Sequence, residues 1–248
     1  MNSLTTIVGV SILCVTTIQG LFFKDKSGIW PNSVVHYNVA PELTPEMKRS
    51  IKNAIEYLNS TTCLKWTERL PIYTLVRDYV SFQIFYKDQR NCRADLGYHM
   101  KGQQVILLGL DCYKSYPEGL ERDTLLLHEM MHAMGFFHEH QRPDRDCYVE
   151  FRTPEIEQLP SNEILRDPPY WTDWPYDYQS ITHYTESEGV YARDRRPIYR
   201  TDGTISEYDK QKIEFLYCNK PSFCNQPGNK KKCDEIKEEK RRNPDCPK

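Results

Sequence analysis

Apolar positions in the first half of the chain follow two periods, and the alternation between them outlines a lobe of mixed strands and helices. Val35, Tyr37 and Val39 alternate with His36 and Asn38, which predicts a strand over Val34–Val39. Thr44-Pro45-Glu46 then opens a helix running to about Asn59, because Met47, Ile51, Ile55 and Leu58 recur three and four residues apart. Residues 80–86 and 104–108 carry further strand character and complete a sheet ahead of a second long helix. That helix is expected to begin near Asp123 or Thr124, either of which can cap its first amides, and to bury Leu125, Leu126, Leu127, Met130 and Met134.

Beyond residue 138 the periodicity fades. Pro168-Pro169-Tyr170-Trp171 and Trp174-Pro175-Tyr176 mark a loop-built half suited to walling a cleft. A last helix from about Ser206 to Tyr217 carries Ile213, Phe215 and Leu216 and ends at Cys218. The pattern gives an α+β fold in two lobes: a sheet with two long helices first, then a mostly irregular half closed by a final helix.

Composition adjusts this outline at both ends. Residues 4–18 form an uncharged apolar run, too short for a comfortable membrane span, which predicts a secretory signal over residues 1–20. No other apolar run approaches membrane length. Cys14 leaves with that signal, and the eight remaining cysteines are an even set suited to an oxidising compartment. Asn59-Ser60-Thr61 is an acceptor for N-glycosylation on that route. The formal net charge of -2 argues against a nucleic-acid or membrane-surface binder and leaves proteins or peptides as partners. Residues 219–248 hold nine Lys or Arg against five Asp or Glu, leaving -6 on residues 21–218. This basic tail has Cys224, Cys233 and Cys246 but almost no apolar residues, so it reads as a solvated appendage needing disulfides to keep a shape.

The chemistry concentrates in residues 128–138, His-Glu-Met-Met-His-Ala-Met-Gly-Phe-Phe-His. His128 and His132 lie four apart and project from one helix face, where two imidazoles can grip one ion. Gly135 can take a positive φ, end the helix, and let the chain swing His138 back as a third nitrogen ligand. Glu129 stands beside them, placed to take a proton from a water at the metal and to return it to a leaving amine. A single histidine on an apolar helix face is usually a packed core residue, but three histidines, a glutamate and a glycine at these spacings predict one catalytic Zn²⁺.

This motif, continued by Glu139 and by Arg142-Pro143-Asp144-Arg145-Asp146, resembles the astacin family of metzincin zinc peptidases. The resemblance extends to Trp30-Pro31-Asn32, Thr62-Cys63-Leu64-Lys65-Trp66, residues 176–181 with His183-Tyr184, and Leu216-Tyr217-Cys218, most of residues 30–218. It implies a secreted zinc endopeptidase in which His128, His132 and His138 hold zinc, Glu129 is the general base and acid, and Tyr184 supports the oxyanion. A phenol can donate a hydrogen bond to charge developing in the transition state. The resemblance also implies disulfides Cys63 with Cys218 and Cys92 with Cys112. It leaves Cys147, Cys224, Cys233 and Cys246 with three possible pairings, of which Cys147 anchoring the tail is the plainest.

Two departures from the family pattern stand out. Thr182 occupies the place of the methionine in the family's Met-turn, replacing a soft apolar platform with a shorter hydroxyl residue and predicting an active but looser site. No inhibitory propeptide is evident between the signal and Trp30, so cleavage after Gly20 is expected to give the mature enzyme directly. The new ammonium of Leu21 would then partner Glu139. The runner-up is a secreted zinc-binding protein that has lost turnover, which leaves Glu129 without a purpose. A disulfide-rich matrix protein leaves the histidines idle. Arg193, Arg195 and Arg196 are candidates to attract acidic substrate side chains.

Overall fold

The computed structural model describes residues 28–70, 75–165, 174–198 and 202–242. A five-stranded sheet is built from β1 (Val34–Val39), β2 (Lys65–Glu68), β3 (Tyr79–Ile84), β4 (Cys92–Ala94) and β5 (Gln103–Leu108), in the order β2-β1-β3-β5-β4. All neighbours are parallel except β4, which pairs antiparallel with β5 through Cys92 opposite Leu108 and Ala94 opposite Ile106. The two later expected strands each start one residue earlier than the sequence suggested. β2 and β4, of four and three residues, are too short to display a period.

Helix α1 (Pro45–Thr61) begins as its sequence dictates: the Thr44 hydroxyl accepts the Met47 N–H at 3.2 Å and Pro45 sits at the first helical position. It buries Met47, Ile51, Ala54, Ile55 and Leu58. A short α2 (Leu110–Ser115) follows, then α3 (Leu120–Ala133), the motif helix. The expected start of α3 is corrected by about one turn. Gly119, at φ 96°, turns the chain before Leu120, while Asp123 and Thr124 fall inside the helix. Asp123 accepts from Asn53 Nδ2 of α1 at 3.1 Å, so its side chain ties the two long helices together instead of capping.

One apolar core fills the space between the sheet and these helices, with Val35, Leu58, Val80, Phe82, Ile106, Leu126, Leu127 and Met130 completely enclosed. Each such side chain contributes about 1.5–3 kcal/mol by leaving water. The half beyond residue 138 is mostly irregular, as anticipated, with three small exceptions. β6 (Val149–Phe151) pairs antiparallel with β7 (Val190–Ala192), and α4 (Pro154–Glu157) is a single turn. Helix α5 (Glu207–Tyr217) is capped reciprocally: Ser206 Oγ accepts the Asp209 N–H at 2.8 Å, and Asp209 accepts the Ser206 N–H at 3.2 Å.

The tail differs from expectation. It contains α6 (Lys230–Arg242), and Phe223 and Cys233 are buried against Trp174, with Tyr208 and Phe215 of α5 packed alongside. Phe223 and Cys233 find this apolar surface because Tyr208 and Phe215 of α5 and Trp174 present it on the outside of the peptidase half. The structure forms Cys63–Cys218, which joins the ends of α1 and α5, Cys92–Cys112, which fastens β4 to α2, and Cys224–Cys233 inside the tail. Cys147 is also disulfide-bonded. Anchoring of the tail through Cys246, like the signal at residues 1–20, lies outside the described residues. Among the described residues no helix is long and apolar enough to cross a membrane.

Asn59 has a structural use. Its side chain donates to the Trp66 carbonyl at 2.9 Å and accepts the Trp66 N–H at 2.7 Å, bonds with which a glycan on Nδ2 would compete.

Candidate active site

Helix α3 stops where the metal motif needs it to stop. Gly135 at φ 98° lets the Phe136 N–H return to the Met131 carbonyl at 3.0 Å, which reverses the chain and carries His138 back beneath the helix. His132 Nε2 then lies 3.0 Å from His128 Nε2 and 3.1 Å from His138 Nε2. Each ring's other nitrogen faces an acceptor: His128 Nδ1 the Ile181 carbonyl at 2.8 Å, His132 Nδ1 the Phe136 carbonyl at 2.6 Å, and His138 Nδ1 the Gln141 Oε1 at 3.2 Å. Donation of Nδ1–H fixes the tautomer, so three Nε2 lone pairs converge on one point.

Burial reinforces this state. Desolvation holds all three imidazoles below their ordinary pKa, His132 at about 3, and the neighbouring rings add to it for His132 and His138. They are neutral near pH 7 and available as ligands. Glu129 is buried at 4 % exposure, its Oε2 has no hydrogen-bond partner within the protein, and burial pushes its carboxyl up to about 8. A deeply buried oxygen without a partner beside three convergent nitrogens fits a water held at a metal. The donor set therefore suits Zn²⁺.

Tyr184 lies in the same constellation. Its ring meets His138 edge-on at 4.5 Å and lies tilted against His140 at 4.3 Å between centroids, and it lines the cleft together with Glu129. Burial raises its pKa, so it remains a hydrogen-bond donor. His140 is completely enclosed and faces Asn162 Oδ1 at 3.0 Å, forming a fixed base under the tyrosine. His140, Gln141 and the Ile181 and Phe136 carbonyls are orienting groups that the motif alone does not reveal. The i,i+3 spacing of Gln141 from His138 is the one local signal.

His128, Glu129, His132, His138, Gln141, Ile181 and Tyr184 line an open cleft of about 630 Å³. Arg90, in the turn before β4, and Cys92, Arg93 and Ala94 of β4 line this cleft, as do Tyr184, Thr185 and Glu188. The basic run after the Met-turn position is elsewhere: Arg193 donates to the Asp146 carbonyl, Arg195 pairs with Glu150 and Arg196 with Asp194, and none lines the cleft.

Thr182 is 3 % exposed, and its hydroxyl lies 3.0 Å from Ser180 Oγ, so the polar atom brought in at this position is satisfied. Glu139 is 1 % exposed, and its cations come from inside the fold. Lys212 Nζ donates to Oε2 at 2.7 Å, while Arg142 Nη1 and the Asp177 N–H donate to Oε1 at 2.9 and 3.0 Å. Leu21, the partner suggested by the sequence, lies outside the described residues. Burial works to raise the Glu139 carboxyl, but Lys212 and Arg142 outweigh it and hold the group below the ordinary range.

The fold has solved counterparts. It superposes on the high choriolytic enzyme 1 of Oryzias latipes, a hatching enzyme zinc-protease, with a TM-score of 0.62 at 24% identity over 78% of this chain and 96% of that one. A structure of myroilysin gives 0.53 at 18% identity, covering 77% and 96%. In sequence, Zinc metalloproteinase nas-12 of Caenorhabditis elegans is 32% identical over 173 residues, 68% of this chain and 40% of that protein. Astacin-like metalloprotease toxin 2 of Loxosceles intermedia is 32% identical over 164 residues, 64% of this chain and 57% of that protein. The chain thus spans less than two thirds of the length of these relatives. The model of the astacin peptidase family matches residues 22–218, which takes in every site residue described above, and on that match this chain belongs to the astacin family.

Proposed function

We propose that the protein is a secreted zinc endopeptidase that hydrolyses peptide bonds of protein substrates. The observation carrying this is the convergence of three neutral Nε2 atoms beside the unpartnered buried Oε2 of Glu129 in an open cleft. When bound, zinc supplies a Lewis acid for the scissile carbonyl and makes a water more acidic. Glu129 Oε2 accepts the proton of the attacking water and delivers it to the departing amine. The Tyr184 phenol donates a hydrogen bond to the oxygen on which negative charge develops, its ring held by His138 and His140. β4 aligns the peptide, and its Arg93 together with Arg90 of the preceding turn favours acidic side chains in the cleft.

Secretion is supported by the even cysteine set and the disulfides it forms. N-terminal sequencing of exported protein tests cleavage after Gly20. Zinc-loaded protein is expected to cut an unstructured protein substrate, to lose this activity to a chelator, and to regain it on adding zinc. Glu129→Gln is expected to keep zinc and lower kcat by about 10²–10⁴-fold. Zinc binding by the wild type with no cleavage of a broad peptide library would point instead to a non-catalytic zinc-binding protein.

A further inference from the structure

Two of the three imidazoles are tied to the same turn of α5 by separate routes. From His128, Nδ1 donates to the Ile181 carbonyl at 2.8 Å, and the Ile181 N–H donates to Asp209 Oδ2, also at 2.8 Å. Ser180 Oγ holds the other oxygen of Asp209 at 2.7 Å. Three residues on, Lys212 Nζ donates at 2.7 Å to Glu139, the residue directly after His138. The Glu139 N–H reaches the Thr182 carbonyl at 3.3 Å and closes the circuit. Asp209 and Lys212, at i and i+3, share one face of α5.

Lys212 and Glu139 are each 1 % exposed, so neither can exchange its partner for water. Arg142, the other cation on Glu139, also holds Asp144 at 2.8 and 2.9 Å through Nε and Nη2. It shares its charge between two carboxylates. A buried ion pair adds little net stability over apolar residues of the same volume, so this one is better read by the positions it ties together. Here the geometry specified is the distance between the segment bearing His138 and the carbonyl that orients His128.

We infer that Lys212 is a positioning residue of the metal centre: through Glu139 it fixes His138 against α5, the helix that also orients His128 through Asp209. It rests on the zinc peptidase function proposed above and extends it to a residue in the last helix of the peptidase domain. Neither Lys212 nor Asp209 lines the cleft, and both act through intermediates.

The full chain, zinc-loaded, provides the test, with Lys212→Met, Lys212→Arg and the double variant Lys212→Met/Glu139→Gln. Zinc affinity is read by competition with a chromophoric chelator, alongside kcat and KM on a peptide and the melting temperature. Lys212→Met is expected to weaken zinc binding by about 10–100-fold, as loss of outer support to a metal ligand does, and to lower kcat with KM near wild type. Lys212→Arg restores most of the affinity. The double variant removes both buried charges, so it recovers melting temperature while its zinc affinity stays low. Wild-type zinc affinity and kcat in folded Lys212→Met overturn the inference even if its melting temperature falls. Should that variant fail to fold, wild-type zinc affinity in the double variant overturns it equally. Because zinc affinity needs no turnover, a wild type that binds zinc without cleaving leaves this test decisive, and one that binds no zinc overturns both proposals.

Discussion

The halves of the molecule on either side of His138 are stabilised by different physics. The first buries Leu58, Phe82, Ile106, Leu126 and their neighbours between a sheet and two helices, where apolar contact does the work. The second has only small apolar clusters of its own, and buries beside them Glu139, Arg142, Asp177, Asp209 and Lys212, joined by hydrogen bonds among loops and α5. An apolar core tolerates small shifts in contact. A buried polar network is favourable only when each group finds its partner at bonding distance, so it fixes positions more strictly. The cleft lies between the two, taking His128, Glu129 and His132 from the first half and the carbonyl and carboxylate supports from the second.

Substitutions can break this contrast at either end. The largest loss is expected from Arg142→Met, which keeps the volume but strips buried Glu139 of one of its two cations and half-buried Asp144 of the guanidinium that holds it through two bonds. Denaturant melts should show about 3–5 kcal/mol of destabilisation, and Arg142→Lys should not rescue it because one ammonium cannot span both carboxylates. A loss below about 1 kcal/mol would mean that the second half is held by packing after all. In the first half, Leu58→Ala should cost about 2–5 kcal/mol through lost contact and a cavity, with zinc affinity per folded molecule unchanged.

Acidity separates the halves further. Burial and the charge of Asp209 raise the Asp177 carboxyl to about 7, above its unfolded value. The folded state therefore binds this proton more tightly, and the associated stability, complete in acid, is lost as pH rises through about 7. Glu139 runs the other way: Lys212 and Arg142 hold its folded pKa below the ordinary carboxylate range, so its stabilisation is present near neutrality and disappears only as pH falls into and below that range. Relative to Asp177→Asn, zinc-loaded wild type should lose melting temperature from about pH 5 to about pH 8; parallel curves would show that Asp177 is ionised throughout. The smallest effect is expected at the altered Met-turn position. Thr182→Val removes only the hydrogen bond to Ser180 and should cost about 1 kcal/mol, with kcat little changed in a peptide assay.

The contrast also governs what the sequence discloses. α1 and the metal motif are legible because helix spacing is local: Met47 to Leu58 and His128 to His132 describe their own geometry. Tyr184 is identified only through family resemblance, since nothing in its neighbourhood distinguishes it among 17 tyrosines. Lys212 is less visible still. Its partner is 73 positions away, and in a helix of alternating charges a lysine normally faces water. Phe223 shows the same difficulty, because the surface it covers is made by Trp174, Tyr208 and Phe215 from other segments. The start of α3 is misplaced because a glycine at positive φ can open a helix without a side-chain cap, and Asp123 is needed by Asn53.

One further contact bears on modularity. Ser33 Oγ donates to the Tyr217 carbonyl at 2.5 Å, and the Tyr217 phenol and the Trp30 indole donate to the Met134 and Ala133 carbonyls at 2.7 and 2.8 Å. The strand entering the peptidase unit and the helix leaving it therefore meet at one spot, beneath the exit of α3. A unit whose two ends share a doorway can be spliced into a longer polypeptide without pulling its cleft open.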